Sequence, residues 1–127
     1  MKSLAEQFSE LARVYGDAAI TSTGPLHLIM IPRLALPAGW SQPSTHVRFV
    51  VPDGYPYAAP DCFWADASLR LASGAMPKNA AIGNPAAGQP QPDLLWFSWH
   101  VGGNWNAGTC KLMTYVNVIR NRFEASE

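Results

Sequence analysis

The sequence predicts an α+β fold: an N-terminal helix, an antiparallel meander of three to four strands, a long irregular loop and a C-terminal helix. Apolar residues recur at helical spacing near both ends of the chain, and strand-like segments lie between residues 26 and 65. Residues 73–93 have no periodicity and are rich in Ala, Pro, Gly and Asn. The length of 127 residues suits a single domain over 1–127.

The first helix is predicted from residue 3 to about residue 15. Ser3 and Glu6 have the spacing of a capping box, in which each side chain accepts a hydrogen bond from the other residue's amide. Gly16 is a natural stop for this helix. Its apolar face has helical spacing and consists of Leu4, Phe8, Leu11 and Tyr15.

Three segments have the composition of strands. Residues 26–31 are apolar and partly β-branched, and Pro32 predicts an edge or a break at their far end. Residues 45–51 alternate, so one face collects Val47, Phe49 and Val51 and the other His46, Arg48 and Val50. Residues 61–65 are the third candidate, followed by a short fourth at 69–71. Short turns between them favour antiparallel pairing.

The second half of the chain predicts a functional or mobile loop followed by a helix. A loop as long as 73–93 inside a small domain usually has one of those two properties. Residues 94–97 resume a buried element. Thr109 is the predicted N-cap of the second helix, which runs to about Phe123 on an apolar stripe of Leu112, Val116, Ile119 and Phe123.

Composition excludes several classes of function. The formal net charge is +0 and there is no run of Lys or Arg, so no nucleic acid partner is predicted. The N-terminus has no continuous apolar stretch, which argues against an export signal or a membrane span. We therefore expect a cytoplasmic protein with Cys62 and Cys110 as thiols. His27 and His46 lack ligand spacing, so neither a metal nor another cofactor is predicted.

Two motifs resemble segments of ubiquitin-conjugating enzymes. The first spans residues 52–63 and reads PDGYPYAAPDCF; it resembles the FP…YP…PP…F segment that closes the family's second strand and opens its third. The second spans residues 105–112 and reads WNAGTCKL; it resembles the W-S-P segment that begins the helix after the active site. Residues 97–108 read FSWHVGGNWNAG and resemble the F-S-W-H…W-N-P-G segment of compact UBC-like proteins of bacteria. The resemblance implies the UBC-like fold.

The same resemblance implies a pathway. The compact bacterial proteins belong to gene clusters with a ubiquitin-like protein, an activating enzyme and a deubiquitinase-like protease. The resemblance therefore implies a bacterial protein that accepts a ubiquitin-like C-terminus from an activating enzyme, with these proteins as partners and no membrane.

The sequence departs from the family at the nucleophile. It has no His-Pro-Asn motif, and it has no cysteine between Cys62 and Cys110. The family's nucleophile precedes the tryptophan that matches Trp105, so this role cannot be carried over to any thiol here. Whether the protein is an enzyme stays open at this point.

Cys110 is the first candidate catalytic residue. In the opening turn of the second helix, amide N–H groups and the helix dipole would favour its thiolate, which a transthiolation carrier needs. His100, ten residues earlier, is a candidate base. The alternative is a small residue packed under the helix start. Cys62 lies in a strand, where a buried structural thiol is the default.

Ser98 and His100 form the second candidate. In extended backbone they share one face, and a serine assisted by a histidine would carry an oxyester. Asp93 is a possible partner that would orient His100. The alternative is that both side chains only fix the shape of the long loop.

Four residues are predicted to bind a partner: Trp99, Asn104, Trp105 and Asn106. The two asparagines flank Trp105 and have amides that suit a thioester carbonyl or an incoming peptide tail. They are equally good turn formers. Most of the tryptophans are expected in the core, and one is expected as an exposed anchor.

Three functions remain. The first is a conjugating-enzyme-like carrier with Cys110 as its best nucleophile. The second is a non-catalytic UBC-fold adaptor that binds a ubiquitin-like protein or an activating enzyme, which the missing cysteine favours. The third is an unrelated cysteine hydrolase, which ranks last because the sequence has no local signature for it.

Overall fold

The computed structural model describes residues 3–82, 94–99, 101 and 105–127. This part of the chain contains α1 (Leu4–Val14), β1 (Ala19–Thr23), β2 (Leu26–Ala35), β3 (Ser44–Val51), β4 (Phe63–Ala65), β5 (Ala80–Ile82), β6 (Leu95–Phe97) and α2 (Leu112–Glu124). The strands form one antiparallel sheet in the order β1-β2-β3-β4-β6-β5. The α+β class is confirmed. Neither of the two described helices is long and apolar enough to cross a membrane.

The capping box at the start of α1 is confirmed. Ser3 Oγ accepts the Glu6 amide N–H at 3.2 Å, and the Glu6 carboxylate accepts the Ser3 N–H at 3.4 Å. The helix buries Leu11 and, unexpectedly for a polar residue, Gln7. The amphipathic pattern thus places one face of α1 towards the core.

The alternating pattern of β3 is also confirmed. Val47, Phe49 and Val51 belong to the main core together with α1 and α2. Val50 belongs to a smaller cluster with Cys62 and Trp64. Since neighbouring side chains of a strand point to opposite faces, this smaller cluster lies on the sheet face away from the helices.

The strands differ from the prediction in three places. β2 continues past Pro32 to Ala35, with a register shift between Ile31 and Leu34 that accommodates the proline. Residues 69–71 form no strand, and Leu71 makes only an isolated bridge to Trp40. β1 and β5 were not predicted; β5 lies inside the predicted 73–93 loop, whose residues 83–93 are outside the described part.

A cluster of aromatic rings fastens the end of α2 to the sheet. Phe63 and Phe97, paired across β4 and β6, stack with centroids 4.7 Å apart. Both rings meet the edge of Phe123 at 5.6 Å. Trp40 also packs on Phe123 and donates its indole N–H to the Phe123 carbonyl oxygen at 2.8 Å. The last turn of α2 is therefore held by both packing and hydrogen bonding.

Replacing Phe123 should test this anchor. Phe123→Ala removes a ring that is 1% exposed, and we expect the free energy of unfolding to fall by about 3–5 kcal/mol. Urea denaturation followed by circular dichroism measures the change. Val14→Ala, at a side chain that is 62% exposed, is the control and should stay within about 0.5 kcal/mol. Equal effects of the two substitutions would contradict the packing described here.

Candidate functional site

A tight turn over residues 106–110 shapes the surroundings of Cys110. The Asn106 carbonyl oxygen accepts the Cys110 N–H at 2.8 Å and the Thr109 N–H at 3.2 Å. Asn106 Oδ1 accepts the Gly108 N–H at 2.8 Å. In the opposite direction, the Asn106 N–H donates to Cys110 Sγ at 3.3 Å. A sulfur that accepts an amide N–H is better able to carry negative charge.

The predicted start of the second helix is wrong. Thr109 is not its cap, since α2 begins at Leu112 and Cys110 lies two residues before it rather than in its first turn. The turn closes on the Asn106 carbonyl, and the Lys111 N–H donates to Thr114 Oγ1 at 3.0 Å. The helix dipole weakens quickly beyond the terminal turn, so the Asn106 N–H is the closer source of stabilisation for the sulfur.

A buried glutamine links α1 to the start of α2. Gln7 is 3% exposed, and its Oε1 accepts the Tyr55 hydroxyl and, at 3.1 Å, the Leu112 N–H. The Leu112 N–H is one of the helix-terminal donors that have no partner within the helix. Gln7 thus satisfies it from another element and joins three segments of the chain at one atom. Lys111, the residue before α2, adds an ion pair to Glu10 of α1 at 3.3 Å.

Tyr55 lies between Gln7 and the turn over residues 106–110, which we call the cysteine turn. Burial raises the pKa of Tyr55 to about 12, and the nearby Cys110 acts in the same direction. The phenol therefore stays protonated at neutral pH and serves as a hydrogen-bond donor. Its ring lies 5.9 Å from the Trp105 ring, whose indole N–H donates to the Pro56 carbonyl oxygen at 2.6 Å. The Tyr55–Pro56 peptide bond is cis.

Trp99 and Ser98 belong to a different part of the molecule. The Ser98 N–H donates to the Asn79 carbonyl oxygen at 2.9 Å, directly after β6. The Trp99 carbonyl oxygen accepts a hydrogen bond from the Tyr115 hydroxyl at 3.1 Å. The ring of Trp99 lies 5.2 Å from the guanidinium carbon of Arg122. The structure therefore brings Trp105, Asn106 and Cys110 together, and it places Trp99 against the last turn of α2.

Two predicted site residues, His100 and Asn104, lie outside the described residues, as does Asp93. The pairings of His100 with Cys110 and with Ser98 stay predictions. The side-chain oxygen of Asn106 accepts the Gly108 N–H within its own turn. The binding of a partner by Asn106 stays a prediction.

Cys62 has the properties of a structural thiol. It is 7% exposed in the cluster on the outer face of the sheet. Burial raises the pKa of Cys62 above its ordinary value. The described part of the chain contains no group of three or more His, Cys, Asp or Glu that would hold a metal ion.

The sequence reasoning missed Gln7 and Tyr55. Gln7 lies between Leu4 and Leu11 on the apolar stripe of α1, and a polar residue within such a stripe is a signal for a buried hydrogen bond. Tyr55 belongs to the YP motif, but no neighbouring residue in the sequence indicates that its hydroxyl donates a hydrogen bond to α1.

Comparison with protein-family models gives a match over most of the chain. Residues 17–126 match the family model described as Prokaryotic E2 family E. No curated protein and no solved structure matches significantly.

We expect Gln7 and Tyr55 to be energetically coupled. Gln7→Leu leaves the Tyr55 hydroxyl and the Leu112 N–H without this acceptor, which costs about 1–3 kcal/mol for each buried donor. Tyr55→Phe should then cost less in the Gln7→Leu background than in the wild type, with a coupling of about 0.5–3 kcal/mol. Urea unfolding of the four proteins measures it. Tyr57→Phe, at a ring that is 79% exposed, is the control and should be additive with Gln7→Leu.

The two cysteines should differ in reactivity. Because Cys62 is buried and its pKa is raised, its thiolate fraction at pH 7.5 is small, and we expect iodoacetamide to modify the half-buried Cys110 at least about tenfold faster. Peptide mapping by mass spectrometry over time gives both rates. The rate at Cys62 should increase with pH up to its raised pKa and should not change in Cys110→Ser. Faster modification of Cys62 would contradict its assignment as a structural thiol.

Proposed function

Since the chain belongs to prokaryotic E2 family E, we propose that it accepts the C-terminus of a ubiquitin-like protein from an activating enzyme, with Cys110 as the acceptor. The observation that carries this proposal is the cysteine turn. Cys110 is a half-buried thiol whose sulfur accepts an amide N–H, and it lies within the segment 105–112 that resembles the start of the helix after the E2 active site.

The proposed step is a transthiolation. The Cys110 thiolate attacks the carbonyl carbon of the thioester between the ubiquitin-like protein and the activating enzyme. A bond from that carbon to Cys110 Sγ forms, the bond to the activating enzyme's sulfur breaks, and that enzyme's thiolate leaves. The Asn106 N–H donates to Cys110 Sγ and holds the sulfur in one position within the turn.

The surroundings of Cys110 suit this role. Tyr55, whose hydroxyl donates to Gln7, lies in the neighbourhood of the sulfur. The turn is closed by its own hydrogen bonds to Asn106, and Gln7 accepts the N–H of Leu112, two residues after Cys110. A fixed turn holds the nucleophile in one place, which lowers the entropic cost of reaching the transition state. Trp105 is half-buried and Asn106 is exposed, so both are accessible to an incoming peptide tail.

A non-catalytic adaptor is the second candidate. It is favoured by the absence of any cysteine between residues 63 and 109, the interval that contains the nucleophile in typical conjugating enzymes. Such an adaptor would bind the ubiquitin-like protein or the activating enzyme without forming a covalent bond.

An adduct assay separates these functions. The protein is incubated with an activating enzyme, a ubiquitin-like protein and ATP, and its intact mass is measured without reductant. The wild type is compared with Cys110→Ala, Ser98→Ala and His100→Ala, and with Cys62→Ala as the matched cysteine control. We expect an adduct that thiols cleave and that only Cys110→Ala abolishes.

Other outcomes reject Cys110 as the acceptor. A base-labile adduct that resists thiols and is lost in Ser98→Ala would assign the acyl group to the serine. Binding without an adduct in any variant would establish the adaptor. An adduct lost in Cys62→Ala alone would contradict the assignment of both cysteines.

A further inference from the structure

The sheet has an edge strand, β1, whose free side is open to another strand. β1 and β5 are the outer strands in the order β1-β2-β3-β4-β6-β5. β5 ends at Ile82, next to residues outside the described part, whereas β1 is described over its full length of five residues. The free side of an edge strand is a row of main-chain N–H and C=O groups that can pair with another chain.

β1 has none of the features that usually protect an edge strand. Its sequence, AITST, contains no charged residue and no proline, and its pairing with β2 has no bulge. Three of its five residues are β-branched, a composition that favours strands. Ala19, Thr21 and Ser22 are exposed. An exposed edge of this composition is a template for pairing with another strand.

The hairpin to β2 determines which main-chain groups of β1 point outwards. Thr23 pairs with Leu26 across a two-residue turn, so these two residues form a hydrogen-bonded pair. Pairs alternate along an antiparallel ladder, so Ile20 and Ser22 occupy non-hydrogen-bonded positions towards β2. Side chains approach most closely at such positions, and Ser22 Oγ lies 2.6 Å from His27 Nδ1. The N–H and C=O groups of Ile20 and Ser22 therefore point away from the sheet.

A second copy of the chain fits this edge. Within the described part of the chain, no other strand pairs with the outward side of β1. When two β1 strands lie antiparallel about a two-fold axis through Thr21, Ile20 of each copy lies opposite Ser22 of the other. Such opposed pairs exchange hydrogen bonds, so every outward N–H of the two strands gains an acceptor. The two Thr21 side chains lie side by side on the axis, and cross-strand Thr–Thr pairs are favourable.

The charges of the chain also suit a second copy. The formal net charge is +0, so two copies do not repel each other at long range. Asp17 precedes the strand and lies 3.8 Å from Arg33. Because the two strands are antiparallel, the two Asp17 carboxylates lie at opposite ends of the contact and no like charges meet across it.

We propose that the free edge of β1 is a homodimer interface, at which two copies of the chain pair through antiparallel β1 strands and extend the sheet across both copies. The interface uses no residue of the cysteine turn. Two short strands bury less surface than the roughly 1,600 Å² of a standard interface, so the dimer is weak and depends on concentration. We expect a Kd between about 10 µM and about 1 mM.

Sedimentation and hydrogen exchange test the dimer and locate it. The mass of the wild type should rise from 13.8 kDa towards twice that value between about 5 µM and about 1 mM in the ultracentrifuge. Amide exchange followed by nuclear magnetic resonance should become about two- to tenfold slower at Ile20 and Ser22 over the same range. The Thr21 amide, which bonds to β2, should exchange slowly at both concentrations.

Paired substitutions on the axis test the two-fold geometry. Thr21→Lys and Thr21→Glu should each weaken dimerisation at least about tenfold, because two like charges then face each other. An equimolar mixture of the two variants should dimerise at least about tenfold more tightly than either alone, because opposite charges then meet. Thr21→Val and Asn117→Lys are the controls: the first keeps a β-branched residue, and the second adds the same charge at an exposed position of α2. Both should leave the Kd within about threefold.

Ser22→Pro gives a second measure if the charged variants do not fold. Proline removes the outward N–H of each copy and is tolerated in an edge strand when that N–H faces solvent, so dimerisation should weaken at least about tenfold while the circular dichroism of the monomer is kept. Ser22→Ala, which removes only the side-chain contact to His27, should dimerise as the wild type does.

Several outcomes would overturn the proposal. These are a single-chain mass at every concentration, a dimer that neither Thr21→Lys nor Ser22→Pro weakens, or a mixture of charged variants that pairs no better than each alone. Protection of Ile20 and Ser22 only after addition of a ubiquitin-like protein would assign the edge to that partner instead. None of these outcomes bears on Cys110, which the adduct assay tests separately.

Discussion

The arrangement of this protein around its cysteine turn depends on one buried acceptor, the side-chain oxygen of Gln7. That atom accepts a hydrogen bond from the hydroxyl of Tyr55, in the segment between β3 and β4, and another from the amide N–H of Leu112, the first residue of α2. This acceptor therefore holds the first residue of α2 against α1 and against the segment that contains Tyr55. The first N–H groups of every helix lack a partner within the helix, and here Gln7 accepts the hydrogen bond of one of them. Because Cys110 lies two residues before Leu112, this bond also restrains the position of the cysteine.

The elements with local signals were predictable. The capping box and apolar stripe of α1 and the alternation of β3 are contained within a few neighbouring residues. β1, with the sequence AITST, and β5, with the sequence AAI, have no such signal. They are strands because β2 and β6 offer partners, and pairing across the sheet outweighs intrinsic preference.

The candidate site shows the same division. The sequence singled out Trp105, Asn106 and Cys110, which the structure brings together, because their residue types lie close along the chain. It misplaced the helix start, because Thr109 has the chemistry of a cap while the contact that replaces it comes from a residue 105 positions away. No local pattern contains that information. The buried Arg122 could be recognised only as a helix-terminal cation, since its aromatic neighbours come from two other segments, Trp40 from one and Phe97 and Trp99 from the second.

The double use of one oxygen makes two positions of the chain unequal in their tolerance of substitution. Loss of the hydroxyl at position 55 leaves the Leu112 amide satisfied, whereas loss of the glutamine at position 7 removes the acceptor from both donors. Position 55 therefore tolerates the loss of its polar group better than position 7 does, since a chain without the glutamine needs another acceptor for both donors.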